Sequence, residues 1–330
     1  MKLLQEIQIK DKATLIYGKL TLKNILKRDN HYFDESFLLL AFMELSLNLL
    51  KHGGGGSICF FESDSDMFMA SKDNGNGIKD ITWAVQNGTT RMQNSLGLGL
   101  YQMNHHDYYH IEIASFTSVE LHGTIVLLKP RKFFKEVLSL QKIYIGERVS
   151  GDMIAKKGRF LLLADGSGHG KAANKSVERL KSYFYDTPLS CIVADDFFTN
   201  VHTMLQGEES RGVVLSVFEI LKSSIQVCGV GNIAIWVKKN NKYESYMQKE
   251  GILGEAFSKS DSKSFAFESK LIGATDGIAH DKMSKLLSLL PQQLSSAMIA
   301  LSAMHFASVM YDDKSIVVIS KRRVTHEQRI

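Results

Sequence analysis

Glu44, Asn48 and His52 are spaced four residues apart in a stretch rich in leucine. On a helix that spacing lines all three side chains along one face. A carboxylate and an amide on an otherwise apolar helix are costly to bury alone, so they call for a metal ion, a phosphate or solvent as partner. The same pattern also describes the wet face of an amphipathic helix. Next comes Asp73-Asn-Gly75-Asn-Gly77-Ile78, directly after an apolar run. Its glycines permit close approach of a ligand to the backbone, and its leading carboxylate can accept a hydrogen bond from an amino group such as the exocyclic amine of adenine. A third group, Ser95-Leu-Gly97-Leu-Gly99-Leu100, puts glycines at the start of an expected helix, where free N–H groups suit phosphate oxygens. Neither glycine pair continues into the dinucleotide-binding fingerprint, because Asp80 and Gln102 stand where the third glycine would be.

The second half is punctuated by acids beside glycine: Gly151-Asp152, Asp165-Gly166-Ser-Gly168-His169-Gly170, Asp276-Gly277, and the pair Asp312-Asp313. Asp165 and Asp276 follow apolar runs and so belong at strand ends. Carboxylates that converge at strand ends repel unless cations lie between them, and ligation by oxygen alone favours Mg²⁺ or Mn²⁺. Each Asp-Gly step taken singly is also an ordinary turn. Gly166–Lys171 is not a Walker loop: the preceding glycine is too close, and Ala172 replaces the hydroxyl residue. His106 and His110 are spaced as on a helix, but Tyr108-Tyr109 between them is strand-like, and both histidines read as surface residues.

These groups need elements to hold them. Lys2–Tyr17 reads as two short strands, and Asp34 as the cap of a helix over Glu35–Lys51 that stops at Gly53–Gly56. Strands follow at Ser57–Glu62, Met67–Lys72, Tyr108–Ala114 and Thr124–Leu128, with helices beginning near Lys79 and Gly97. After Pro130, strands are expected at Lys142–Val149, Arg159–Leu163, Val213–Glu219, Ile225–Val230, Ile233–Lys238, Lys270–Ala274 and Ser315–Ile319. Helices are expected at Lys171–Tyr185, Ile192–Leu205 and Gln292–Ser308. The fold class expected is α+β: an α/β sandwich over residues 1–130, a connector over 131–141, a β-sandwich flanked by helices over 142–322, and a tail over 323–330.

Bulk properties exclude more than they assign. The 330 residues suffice for two cores. A net charge of +5, with lysine and arginine scattered, does not point to nucleic acid. Cys59, Cys191 and Cys228 are far apart and odd in number, which fits a reducing, cytoplasmic compartment. Residues 1–10 alternate polar and apolar like a first strand, not like a signal peptide. The longest apolar stretch, Phe37–Leu50, is interrupted by Glu44 and Asn48 and is too short to cross a membrane. A soluble protein is expected.

The order of the first three motifs resembles the ATP-binding fold shared by histidine kinases and gyrase, the GHKL fold. More narrowly, Glu44-Leu-Ser-Leu-Asn48-Leu-Leu-Lys-His52, Asp73–Ile78 and Lys79–Gly88 look like the RsbT-type switch kinases of the anti-sigma-factor kinase family, over roughly residues 1–130, including His122-Gly-Thr124. That resemblance implies that Asn48 holds Mg²⁺ and that Asp73 reads adenine with support from Thr124. Gly75, Gly77, Gly97 and Gly99 would shape the nucleotide loops. Glu44 would be the general base that takes the proton from a serine or threonine as it attacks the γ-phosphate.

Phe160-Leu-Leu-Leu-Ala-Asp165-Gly-Ser-Gly-His-Gly170, with Asp152 before it and Thr275-Asp276-Gly277 and Asp312-Asp-Lys-Ser after it, resembles the SpoIIE and RsbX phosphatases of the type 2C metal-dependent class. By that resemblance Asp165 bridges two Mn²⁺ or Mg²⁺ ions, the Gly166 carbonyl assists one of them, and Asp152, Asp276 and Asp312 complete the set. Ser150 and Ser167 depart from the family's usual glycine and apolar residue. Together the two resemblances imply a protein that phosphorylates and dephosphorylates a STAS-domain partner, within an anti-sigma-factor or stressosome-like system. The alternative is a phosphatase whose first domain senses ATP without transferring phosphate.

Overall fold

A computed structural model describes residues 1–28, 34–86, 98–192, 195–207 and 211–321. The chain divides into two compact units: Met1–Phe134 with Gln293–Ser302, and Lys135–Gln292 with Ala303–Ile330.

In the first unit the elements run β1 (Lys2–Ile9), α1 (Lys12–Arg28), α2 (Glu35–His52), β2 (Gly56–Ser63), β3 (Asp66–Asp73), α3 (Ile81–Val85), α4 (Leu98–His105), β4 (Tyr109–Thr117) and β5 (His122–Pro130). The strands form one antiparallel sheet in the order β1-β2-β3-β5-β4. Its core joins Leu15, Leu22 and Leu26 of α1 and Phe42, Leu45 and Leu49 of α2 to sheet residues such as Phe60 and Met69.

Asp34 caps α2 as expected, its Oδ1 accepting from Phe37 N at 2.9 Å, and Gly53 and Gly55 close the helix onto Leu49 O. The second strand expected within Lys2–Tyr17 is instead the start of α1. Asp11 accepts from Thr14 N at 2.8 Å, a cap that sends the β-branched and aromatic stretch after it into a helix. Leu15, Leu22 and Leu26 then share its buried face, so tertiary packing overrides local strand preference.

The second unit contains β6 (Val137–Lys142), β7 (Asp152–Lys157), β8 (Phe160–Gly166), α5 (Gly170–Asp186), α6 (Asp195–Leu205), β9 (Val213–Ile220), β10 (Ser224–Val230), β11 (Ala234–Lys239), β12 (Lys242–Met247), β13 (Asp261–Ala266), β14 (Lys270–Ala274), α7 (His280–Leu289) and β15 (Lys314–Ser320). Two antiparallel sheets, β13-β10-β9-β8-β7 and β12-β11-β14-β15-β6, make a sandwich. Between them lie Leu161, Leu163, Phe218, Ile235, Leu271 and Val317. The alternate residues of β8 and β9, including Leu162 and Leu215, face the core shared with α5 and α6. Strand β8 is therefore buried on both sides, which is why its sequence reads as an unbroken apolar run.

Several expectations shift here. The connector expected over 131–141 contains most of β6, whose Leu138 and Leu140 are buried and which pairs with β15. The strand expected at Lys142–Val149 is absent: the chain leaves the sheet at Lys142, and Tyr144 N turns to bond Asp313. Strands β12 and β13, which the sequence reading did not find, are sheet edges with mostly exposed polar residues, so they lack the apolar alternation that announces a strand. The helix expected over Gln292–Ser308 is shorter. It comprises α8 (Ser296–Ser302), which belongs to the first unit, and then a π-helical turn, Ala303–Ala307, in the second.

Candidate functional sites

In the first unit, β3 and β5 meet so that Asp73 pairs with Thr124. Asp73 Oδ1 accepts from Gly75 N at 2.8 Å. Burial raises the Asp73 carboxyl above its ordinary range, while backbone N–H groups of Gly75 and Thr124 and the nearby His52 offset part of that. Thr124 Oγ1 lies 2.8 Å from Ser115 Oγ, which in turn accepts from Ile78 N at 2.7 Å. Ser115 thus ties the glycine loop to the sheet. Sequence reasoning missed it because a single serine in a strand carries no motif. Gly77, at φ +73, packs so closely on Phe116 O that a Cβ would lie 2.0 Å from it.

Along α2, Glu44 and Asn48 are half-buried and His52 is exposed. Gly99, in the first turn of α4, lies against Glu44: a Cβ there would come within 2.3 Å of Glu44 Oε2. A larger residue there would push the Glu44 side chain aside. Gly97 lies outside the described residues. His106, read as a surface residue, is only half-exposed. It stacks on Phe37 at 3.7 Å, and its Nδ1 accepts from the backbone N–H groups of Tyr108 and Tyr109. His110 is half-buried as well.

The second unit gathers acids. The β7–β8 register sets Asp152 directly opposite Asp165, an arrangement that like charges disfavour. Asp165 ends β8, Gly166 N bonds Gly151 O at 3.0 Å, and Ser167 N bonds Gly212 O at 2.8 Å, so the loop after Asp165 is anchored on two sides. Asp276 follows β14, accepts from Asn232 Nδ2 at 3.0 Å, and lies near enough to Asp165 to raise its carboxyl. Burial and then the neighbouring carboxylates of Asp152 and Asp276 hold Asp165 far above the usual carboxylate range. Asp152 is also raised, chiefly by burial, although Thr275 Oγ1 donates to its Oδ2 at 2.8 Å. Asp312 is raised by burial and then by Asp276.

Two unit charges about 4 Å apart near a protein surface repel by roughly 4 kcal/mol. Burying Leu161, Leu162 and Leu163 contributes on the order of 5–9 kcal/mol in the same strand.

Asp313 differs from its neighbour. It is 2 % exposed, its Oδ1 accepts from Tyr144 N at 2.8 Å, and its Oδ2 accepts from Gly151 N at 2.6 Å. Both oxygens are thus spent on fastening the loops on either side of residues 144–151. A Cβ on Gly277 would lie 1.9 Å from Asp313 O, so the Asp276 and Asp313 loops touch backbone to backbone. Asp312 accepts only from its own neighbour, Asp313 N, among the hydrogen bonds of the described residues, which leaves it the more available of the pair. Thr275, Asn232 and Asp313 are contributors whose roles the sequence did not reveal.

Among the described residues, no group of three or more His, Cys, Asp or Glu is arranged to hold a metal ion. The electrostatic grouping and this stricter geometric one differ because charge acts over several ångström, whereas a coordination shell requires oxygens around one point. The chemistry of the donor set fits a hard divalent cation: the donors are all oxygen, and Asp165 is held above its ordinary range by burial and then by the neighbouring carboxylates. No helix among the described residues is long and apolar enough to cross a membrane.

No family model matches the chain, and no curated protein matches it. Solved structures similar to it include RsbX in complex with magnesium, with 19% identity over 55% of this chain and 92% of that one and a TM-score of 0.45. Another is a serine/threonine phosphatase of S. agalactiae, with 16% identity over 56% of this chain and 99% of that one and a TM-score of 0.44. A third belongs to a study of the bacterial stressosome, with 19% identity over 55% of this chain and 97% of that one and a TM-score of 0.44.

Proposed function

We propose that the second unit is a metal-dependent phosphatase acting on phosphoserine or phosphothreonine of a partner protein, and that the first binds Mg·ATP and transfers its γ-phosphoryl group to the same partner, a STAS-domain protein. The observation that carries the reading is the placement of Asp152 opposite Asp165, with Asp276 and Asp312 near enough to raise the Asp165 carboxyl. A structural role explains a paired acid. It does not explain a carboxyl that burial and three neighbouring acids, Asp152, Asp276 and Asp312, together hold above its ordinary range.

Asp165, Asp152, Asp276 and Asp312, with the Gly166 carbonyl, would hold two Mn²⁺ or Mg²⁺ ions. When bound, such ions neutralise the carboxylates, lower the pKa of a bound water and clamp phosphoryl oxygens. The chain's own contribution is positional. Thr275 and Asn232 orient Asp152 and Asp276, and Asp313 fixes the loop that begins β7. In the hydrolysis a water oxygen bonds to phosphorus, the seryl O–P bond breaks, and the seryl oxygen recovers a proton.

In the first unit Asp73 accepts from the adenine amine, with Thr124 beside it, while Gly75, Gly77, Gly97 and Gly99 admit the nucleotide and Asn48 would ligate Mg²⁺. Glu44 takes the proton of the attacking hydroxyl as the bond from that oxygen to the γ-phosphorus forms and the β–γ bridging bond breaks, releasing ADP.

The test uses an Asp165→Asn variant with Mg²⁺, γ-labelled ATP and a STAS protein encoded beside this one. Label on serine or threonine of the STAS protein that disappears when Glu44→Ala is added supports the two-way switch. If ATP binds and no label is transferred, the first unit is a nucleotide sensor and its kinase role is withdrawn.

A further inference from the structure

Asp73, Thr124 and Ser115 stand in one row across the sheet of the first unit: Asp73 pairs with Thr124 between β3 and β5, and Thr124 pairs with Ser115 between β5 and β4. Residues directly opposite one another on neighbouring strands put their side chains on the same face. The row therefore offers a carboxylate and two hydroxyls side by side. The glycine loop that follows Asp73 is fastened at both ends. Ile78 N donates to Ser115 Oγ at 2.7 Å. His122 Nδ1 lies 2.9 Å from Asn74 O and 3.2 Å from Gly75 O, and because both are acceptors this nitrogen carries the ring proton. The backbones are close as well: a Cβ on Gly123 would lie 2.2 Å from Asp73 O.

The two hydroxyls share one short contact, Ser115 Oγ to Thr124 Oγ1 at 2.8 Å, and bring two protons to it. Each hydroxyl has a single proton to give, so one fills the contact and the other goes elsewhere. If Thr124 filled it, the Ser115 proton would be left with Gly123 O, 3.3 Å away and beyond the usual range for a hydroxyl donor. If Ser115 fills it, Ser115 Oγ accepts from Ile78 N and donates to Thr124, both at ordinary distances, and the Thr124 proton is the one left over. Among the hydrogen bonds of the described residues, Thr124 Oγ1 has no acceptor besides Ser115. Thr124 is 6 % exposed. A proton left over at so buried a hydroxyl is costly until an acceptor takes it.

We infer that Ser115 is a positioning residue that makes the Thr124 hydroxyl a donor toward the bound base, so that Asp73 and Thr124 form an acceptor and a donor in neighbouring places. The inference rests on the nucleotide reading of this site given above. An acceptor beside a donor matches the amino group beside N1 of adenine, which are a donor and an acceptor in that order. Guanine presents the reverse, a carbonyl oxygen beside N1–H, and would set its oxygen against the Asp73 carboxylate. Asp73 alone reads one position of the base. With the Ser115 proton fixed in direction, the pair reads two, and a base that lacks either partner leaves a buried group unpaired.

Calorimetric titration of the full chain compares Mg·ATP with the Mg complex of an ATP analogue in which C–H replaces the N1 ring nitrogen. The unmodified protein should bind ATP about tenfold more tightly than the analogue, the worth of one buried hydrogen bond. In Ser115→Ala that ratio should fall to about two or less, whatever loss both ligands share through the freed Ile78 N, and Ser115→Thr should restore it. A ratio that stays at about ten in Ser115→Ala, both ligands weakening together, makes Ser115 a loop anchor only and overturns the inference. An unmodified protein that binds ATP and the analogue equally also overturns it, and the nucleotide reading then stands alone. An unmodified protein that binds neither removes the nucleotide reading itself, and the inference with it. Should Ser115→Ala fail to fold, Ser115→Cys serves instead: its thiol keeps a polar side chain of similar shape but donates only weakly, and the same ratio decides.

Discussion

Asp73 in the first unit and Asp165 in the second are both half-buried carboxylates at the end of a strand, yet their surroundings differ in kind. Asp73 has donors: the N–H groups of Gly75 and Thr124, with His52 nearby. Asp165 has acids: Asp152 across the ladder, with Asp276 and Asp312 near enough to raise its carboxyl. A carboxylate met by N–H groups is prepared to accept one more hydrogen bond. A carboxylate met by other carboxylates is prepared for positive charge. Chemistry therefore separates by company and not by residue type.

The largest expected effect breaks the acidic group. Asp165→Asn should lower Mn²⁺-dependent hydrolysis of a phosphoester by about a thousandfold or more, equivalent to roughly 4 kcal/mol of transition-state stabilisation. It should at the same time raise the melting temperature of the metal-free protein near neutral pH, since a carboxyl that folding holds above its ordinary range, and that must take up a proton on folding, is gone. Hydrolysis assays and calorimetry with a chelator measure the two together, and a fall in both would mean that Asp165 is a structural acid.

Next, Asp313→Ala strands the N–H groups of Tyr144 and Gly151 and should cost about 2–4 kcal/mol of stability. Asp312→Ala should leave stability within about 1 kcal/mol. Urea titrations compare them; equal losses would erase the distinction between the neighbours.

On the other side of the comparison, Asp73→Ala should weaken ATP binding at least tenfold, the worth of a hydrogen bond to a charged group, and leave phosphoester hydrolysis of an artificial substrate unchanged. Nucleotide titration followed by fluorescence or calorimetry checks this.

The smallest effect concerns acid stability. Burial raises the Glu112 carboxyl, but His110, Lys129 and Ser295 together hold it below the ordinary glutamate value. Its contribution is therefore fully present above the unfolded pKa and is lost as pH falls through the folded one. Unfolding of the first unit should steepen below about pH 4.5, and Glu112→Gln should flatten that slope. Melting curves between pH 3 and pH 6, on the order of the carboxylate range, test it.

Much of this was legible in the sequence where one residue pattern carries one physical demand. The Asp34 cap, the glycines that stop α2 and the doubly buried run of β8 appear in the structure where their chemistry asks for them. Polar edge strands such as β12 and β13 escaped because nothing about their side chains requires a sheet; their neighbours impose it. The α1 helix escaped because Thr14 to Tyr17 look like a strand until Asp11 caps them. At the sites, the glycine beside Asp152, Asp165 and Asp276 singled these acids out in the sequence. It could not show that Asp313 is spoken for by two backbone amides, since hydrogen bonds over a separation of 162 residues leave no local trace.

The interleaving of the chain has a consequence for how such a protein can be taken apart. A cut after Phe134 would release a first unit without the helix that covers β4 and β5, and a second carrying a loop of buried-type side chains with nothing to cover. No single break separates the two units into self-sufficient parts. A fragment that keeps the first unit whole has to carry residues 293–302 as well as 1–134.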